Sequence, residues 1–567
     1  RYGTVRASAG ISGPLNDTLG FSLQGSTYHT KGPFKSITTG ESVYRTNNDS
    51  LRARFFYDNG PLTADLKFDY FENSGAGISY NGQIVGVPIP PFDGTALDVS
   101  VIQPFVSNVI GTNQNKFYGG TLKLDYDVGA ATLTSITGLN KFQEYFGGDG
   151  IPYVPNTGQP GAQTTEYLVD DTNFSQELRI TSNGNTRLRW QVGAYFLSFK
   201  RDAGSRVSED NLGTLPPHPR QVQGPNTPQP TVALGRPIYN TKDYALFANV
   251  QYDILDTLTL SLAGRYDIEK RSVREAAPSA FNTCVQLNNI SIDQCRASKT
   301  FKIFSPKATL SYHPDKLTNF YVSYGKGFKS GGFNPIGSRR ATLNATPPAL
   351  QPFVYVQDIY APEKAESWEA GAKLQFGELR LNGAAFKTKV KGAQQFAFFP
   401  TTGLQTVVSI DEVDLKGFDL GLDWTSPIDT GVTIGVGYVD GKITKFAGNP
   451  GNVGNVAPGS AEYTLFVGVQ QPIPLDETYQ LVPRVEFNRY GRIWWDADNT
   501  PGTRRAPMNL VNARLTLKSE SGWQIGAWMD NVFNKKYYQE IVPLLPVISV
   551  QFRGWTRSFG MDAKYAF

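Results

Sequence analysis

Between Tyr244 and Asp253 the chain reads YALFANVQYD. Tyr244, Leu246, Ala248, Val250 and Tyr252 fall on one side of an extended backbone; Ala245, Asn249, Gln251 and Asp253 fall on the other, where Phe247 intrudes. Alternation with period two predicts a β-strand with one apolar and one polar face. The pattern recurs. Leu258, Leu260, Leu262 and Tyr266 oppose Thr259, Ser261, Arg265 and Asp267, and Leu66, Phe68 and Tyr70 oppose Asp65, Lys67 and Asp69. In the closing stretch GWTRSFGMDAKYAF, Trp555, Phe559, Met561, Tyr565 and Phe567 share a face broken by Arg557, with Ser558, Asp562 and Lys564 opposite. A soluble sandwich also alternates, so one strand decides nothing. The regularity along the whole chain does.

Ten short connections join these runs in pairs: Gly13–Gly20, Tyr57–Ala64, Asp127–Thr132, Ser182–Arg187, Asp253–Thr259, His313–Asn319, Phe376–Arg380, Ser426–Val432, Pro472–Thr478 and Ser519–Trp523. Their Gly, Asn, Asp and Pro clusters are hairpin signals. Long connections alternate with them, roughly Asn73–Asn115, Gly147–Asp171, Asp202–Asn240, Ser272–Lys299, Asn334–Pro362 and Gly448–Gly454. Ten hairpins and the closing strand give twenty-one strands in an up-and-down meander. Such a sheet avoids edges only by closing. Bacterial single-chain barrels have even strand numbers, so the expectation is a 22-stranded antiparallel transmembrane β-barrel, residues 1–567 supplying twenty-one strands and a stub at Arg1–Gly3. On that reading the chain is a fragment cut inside its first strand.

At 567 residues an ordinary soluble chain divides into domains, but no linker or composition shift interrupts this one. A net charge of +4 argues against nucleic acid as the main partner. Mean hydropathy is −0.32 and no apolar run is long enough for a membrane helix, as expected of a barrel whose strands average out. Aromatics such as Phe55, Tyr145, Tyr195, Trp494, Trp495, Tyr537 and Tyr538 gather at strand ends, where interfacial girdles form. Trp494, Trp495, Tyr537 and Tyr538 admit two roles, stacking on a ligand or lining the girdle. Lysines and arginines near strand ends similarly suit anionic lipid headgroups or plain solvation. His29, His218 and His313 are isolated and lack metal-ligand spacing. GKGFKSGG at Gly325–Gly332 fails as a phosphate loop because Phe328 stands where glycine must precede Lys-Ser. These residues predict neither enzyme nor cofactor.

Several stretches resemble TonB-dependent outer-membrane receptors. They are the opening YGTVRASAGISGPLNDTLGFSLQGS, YVSYGKGFKSGGFNP (Tyr321–Pro335), APEKAESWEAGAKLQF (Ala361–Phe376), MDNVFNKKYYQE (Met529–Glu540) and the terminal strand. The resemblance implies a barrel in the outer membrane of a Gram-negative bacterium, with short periplasmic turns and long extracellular loops. It also implies an N-terminal plug and a TonB box, neither within this chain, which couple to the inner-membrane TonB complex. Trp555, Phe559, Tyr565 and Phe567 are then expected to serve as the signal read by the barrel assembly machinery, and lipid and lipopolysaccharide to surround the wall.

The expected activity is TonB-driven import of a bulky scarce nutrient: a ferric siderophore as default, or cobalamin, haem, a saccharide or another large molecule. The alternative is a passive, porin-like diffusion channel. Cys284 and Cys295 are the only cysteines and share one long loop. In a chain that crosses an oxidising periplasm they are expected to form a disulfide.

Overall fold

The computed structural model describes residues 2–77, 80–84, 105, 107–149, 163–184, 186–210, 215, 231–277, 284–285, 291–346, 348, 351, 354–399, 404–500, 503–545 and 548–566. One antiparallel sheet dominates, with 23 strand segments. Thr231–Gly235 and Ile473–Pro474 are continuations across short breaks of the strands beside them, which leaves twenty-one strands. They are β1 Val5–Pro14, β2 Leu19–Thr30, β3 Thr46–Asn59, β4 Leu62–Gly75, β5 Thr112–Asp127, β6 Ala131–Asp149 and β7 Gln163–Ser182. Next come β8 Leu188–Glu209, β9 Pro237–Leu255, β10 Leu258–Glu275, β11 Arg296–Asp315, β12 Thr318–Lys329, β13 Glu363–Phe376 and β14 Leu379–Phe399. The last are β15 Leu404–Thr425, β16 Gly431–Lys445, β17 Tyr463–Gln470, β18 Tyr479–Tyr490, β19 Met508–Ser519, β20 Trp523–Asp530 and β21 Ser558–Tyr565. Each pairs with its neighbour in sequence, the order of a meander.

All ten short connections are turns, and their chemistry is local. Asn16 Oδ1 accepts from the backbone N–H groups of Thr18 and Leu19, both at 2.9 Å, closing β1 onto β2. Asp58 accepts from Gly60 N at 3.2 Å, and Gly60 takes φ 67°, a conformation glycine adopts without a Cβ penalty.

The two faces separate as alternation requires. In β9, Leu246 is 67 % exposed while Ala245 is 4 % exposed. The exposed apolar face is bordered by aromatic rings that meet across adjacent strands. On the long-loop side the ring pairs are Tyr70–Tyr118 at 5.3 Å, Phe174–Phe196 at 6.1 Å, Phe196–Tyr244 at 5.1 Å, Tyr324–Trp368 at 4.6 Å and Phe418–Tyr438 at 5.7 Å. On the short-turn side exposed Tyr126, Tyr252, Tyr312, Phe376 and Trp424 form the second border. From Tyr244 to Tyr252 the strand covers about 27 Å along its axis. With the usual tilt, that suits the apolar band of a membrane barrel. No helix among the described residues is long and apolar enough to cross a membrane.

Several strands run beyond the ends expected from sequence. β6 reaches Asp149, β7 begins at Gln163 and β8 continues to Glu209, inside stretches read as loops. Backbone pairing continues there without alternating hydrophobicity, so periodicity could not reveal it. The closing strand is shorter than its alternation suggested. β21 starts at Ser558, and Trp555 lies before it with its ring 6.3 Å from Tyr2 and 6.4 Å from Tyr44. Packing with these rings takes Trp555 out of the strand.

β1 and β21 are the two ends of this order. Among the described residues no backbone ladder joins them. They approach at the long-loop end, where the Tyr2 hydroxyl lies 2.5 Å from Thr556 Oγ1 and donates to Arg557 O at 3.2 Å.

Candidate functional site: the polar wall and the long-loop mouth

The face opposite the apolar band is lined with ion pairs across and along the strands. Arg52 meets Asp69 at 2.5 Å, Arg54 meets Asp65 at 2.8 Å, Arg189 meets Asp253 at 2.6 Å and Arg265 meets Asp267 at 2.8 Å. On β19 and β21, Arg514 reaches Asp562 at 2.7 Å over Gly526. A Cβ on Gly526 would lie 2.2 Å from the guanidinium, so this glycine leaves the space the pair needs. Near the barrel end of the wall, Tyr321 donates to Glu369 at 2.7 Å. These paired charges make a hydrated, weakly adhesive surface, the opposite of an apolar ligand pocket.

The long-loop end has small cores of its own. Ile410, Val413, Ile443 and Phe446 form one, joined by Tyr355 and Ala457. Val43, Phe105 and Ile110 form a second, with Phe34 and Tyr44 against it. Tyr538 and Ile541 form a third, with Trp495 packed on them. The helix Ser338–Ala345 is tied down by Asp358, which accepts from Gly337 N at 3.2 Å and Arg339 N at 3.0 Å.

Charged groups are buried among these cores. The Arg553 guanidinium stacks over Phe105 at 4.8 Å and Phe34 at 5.3 Å, and burial lowers its pKa to about 10. Its Nη2 has no hydrogen-bond partner among the described residues. Arg505, also buried, donates through Nη1 to Tyr538 O at 3.5 Å, and burial lowers its pKa as well. Asp149 lies where β6 projects past the apolar band. Burial chiefly, and the nearby Asp210 carboxylate in addition, raise its pKa to about 7. Asn108 Nδ2 donates to Asp210 at 2.7 Å beside it.

The residues singled out from sequence are distributed as follows. Trp495 and Tyr538 meet in one core, and Tyr538 is 2 % exposed, so its ring is covered by protein. Trp494 faces Arg504 at 5.8 Å, and Tyr537 is half-buried over Gly554. Trp495 and Tyr538 therefore pack inside the long-loop end, while Trp494 and Tyr537 are partly exposed there. Phe559, Met561 and Tyr565 are exposed on the apolar face, opposite the Asp562 that pairs with Arg514. Phe567 and His218 lie outside the described residues. His29 bonds Asn47, and His313 sits in the β11 strand near its turn. Cys284 and Cys295 are bridged with S–S 2.02 Å, and Cys295 O accepts from Glu275 N at 2.8 Å, tying the bridge to β10. No cluster of metal-ligating side chains occurs among the described residues. Sequence reading missed Arg505, Arg553 and Asp149, because an isolated charge in an aperiodic loop carries no signal of burial.

The fold is a two-faced antiparallel meander with short turns at one end and long loops at the other. The profile of the family described as "TonB dependent receptor-like, beta-barrel" matches residues 1–532. The chain belongs to the TonB-dependent receptor β-barrel family. Among the curated relatives of this receptor barrel is the probable TonB-dependent siderophore receptor PiuA of Acinetobacter baumannii, 22 % identical over 405 residues, covering 65 % of this chain and 50 % of that protein. The pesticin receptor of Yersinia enterocolitica is 25 % identical over 226 residues, covering 38 % and 29 %. The chain thus spans half or less of the length of these relatives. In fold the receptor barrel is similar to the ferric yersiniabactin uptake receptor FyuA from Yersinia pestis, with TM-score 0.76 and 15 % identity over 99 % of this chain and 78 % of that one. The siderophore receptor PiuA from Acinetobacter baumannii gives TM-score 0.74 and 16 % identity over 98 % and 79 %.

Proposed function

We propose that this barrel belongs to an outer-membrane receptor that imports a ferric siderophore, driven by the TonB complex through a plug and TonB box. The observation that carries the reading is the long-loop end, where three apolar cores and a helix hold the loops in a fixed arrangement. Passive diffusion calls for an open passage. A receptor needs loops that hold a shape and release it. The relatives' names support a siderophore as the cargo class. On this reading the long loops face the cell exterior, and the disulfide keeps its loop compact above the wall. The exposed Phe559 and Tyr565, with Trp555 and Phe567, serve as the signal for the barrel assembly machinery.

The test is uptake of ⁵⁵Fe-loaded siderophores, one chemical class at a time, by cells carrying the full-length receptor. Accumulation of one class that stops on removing TonB or collapsing the proton gradient supports the reading. Accumulation indifferent to both would establish the diffusion channel instead.

A further inference from the structure

At the long-loop end, two buried N–H donors share one face of a short ladder packed against Tyr538. The segments Ile493–Trp494 and Arg504–Arg505 pair antiparallel, with Ile493 opposite Arg505 and Trp494 opposite Arg504. The pairing extends to Trp495, whose backbone N–H donates to Thr503 O at 3.2 Å. Ladder partners share a face, and alternate residues return to it. Ile493, Trp495, Thr503 and Arg505 therefore lie on one face, and Trp494 and Arg504, whose side chains meet at 5.8 Å, lie on the other. The first face is the buried one: Ile493, Thr503 and Arg505 are 6 %, 2 % and 8 % exposed. It lies against the core of Tyr538 and Ile541, because Trp495 packs on that core and Arg505 Nη1 donates to Tyr538 O.

Arg505 Nε and Trp495 Nε1 have no hydrogen-bond partner among the described residues. Neighbouring arginines are answered. Arg492 donates to Glu462 at 2.8 Å, Arg504 stacks on Trp494, and Arg553 lies over Phe34 and Phe105. Among the described residues Arg505 has neither a carboxylate nor a ring face, and its bond to Tyr538 O is 3.5 Å long. A buried guanidinium without counter-charge is costly, and a buried indole N–H normally finds an acceptor. Both demands have the same sign. A water could accept from both groups, yet its own hydrogens would then need acceptors, and the orphaned atoms here are donors. An anion meets both demands and supplies the missing charge. Phosphate or sulfate would bring several oxygens, each needing a donor, to a face that offers two N–H groups amid Ile493, Tyr538 and Ile541. A halide is a single, weakly hydrated atom and asks for less.

We propose that Arg505 Nε and Trp495 Nε1 hold a halide ion, chloride in ordinary media, as a resident part of the loop core. The ion joins the segments around Trp495 and Arg505 to the strand Tyr538–Leu545. It is not cargo, and the assignment is independent of what the receptor transports. The experiment exchanges chloride for bromide in crystals of the full-length receptor and reads bromine anomalous scattering. One peak within hydrogen-bond reach of both nitrogens is expected. It should vanish in R505Q and weaken in W495F, which keeps an aromatic ring and removes the N–H. W494F, on the opposite face, should leave it unchanged. In solution, hydrogen exchange of the Tyr538–Ile541 amides should slow as chloride or bromide is added, with a half-effect concentration about tenfold higher in W495F. Sulfate or acetate at equal ionic strength should not replace the halide. Should R505Q not fold, W495F carries the test. No peak in a well-ordered wild-type loop core overturns the proposal. So does a peak undiminished in the folded variants, which marks an adventitious ion only, and so does equal slowing by sulfate, which marks a general salt effect. Because neither reading involves uptake, a failed transport experiment leaves this result standing, and the reverse.

Discussion

The two ends of the wall solve the same problem, reversing the chain, by different means. At the short-turn end, reversal is settled within a few residues: Asn16 and Asp58 satisfy the turn backbone, and Gly60 supplies a positive φ. At the long-loop end it takes contacts distant in sequence. Val43 packs with Phe105, and Asn108 bonds Asp210. The turn end is thus specified locally and the mouth cooperatively. A cooperative mouth can be moved as a unit while the wall below stays fixed.

Substitutions should expose that difference. The largest effect is expected from Ile443→Ala, since Ile443 is fully buried between Ile410, Val413 and Phe446. A cost of about 2–5 kcal/mol should raise amide hydrogen exchange throughout that loop core and leave the turn end unchanged. Equal loosening at both ends would abolish the distinction. Gly111→Ala comes next. Gly111 holds φ 72°, and a Cβ there would lie 1.7 Å from Gly147 O. A loss of about 3 kcal/mol should free the Gly77 and Asp149 amides that now bond Ile110 O and Val109 O, again by hydrogen exchange.

Replacing Cys284 and Cys295 together by serine opens a bridge with sequence separation 11. On the chain-entropy view the loop loses about 3 kcal/mol of order, seen as faster proteolysis there. Barrel melting should not shift, because β10 and β11 are held by their own ladder. A lowered melting temperature would show that mouth and wall are coupled after all. The smallest effect is expected from Asn16→Ala, about 1 kcal/mol. It should be confined to the Thr18 and Leu19 amides.

The same division governs what could be read from sequence. The strands and all ten turns were legible because alternation and turn chemistry are properties of neighbouring residues. The outward placement of Phe559, Met561 and Tyr565 followed from parity alone. The mouth was not legible. Trp495 and Tyr538 are 43 positions apart, and no local pattern reveals that they pack together over Ile541. Arg553 reads as an ordinary surface charge until Phe34 and Phe105 close around it. Lys242 and Lys270 fall between these cases: the face of each follows from parity, but that they stand opposite one another depends on the register between β9 and β10.

The unequal strand lengths have a further consequence. β8 has 22 residues and β15 also 22, whereas β1 has 10 and β2 has 12. On β8 the outward apolar positions end at Phe196, and about 40 Å of strand continues past it to Glu209. The rim is therefore a slope. On its high side, around β8, the paired backbone runs far past the aromatic border, and on its low side, around β1 and β2, it ends sooner. What a passing molecule encounters depends on the direction from which it arrives.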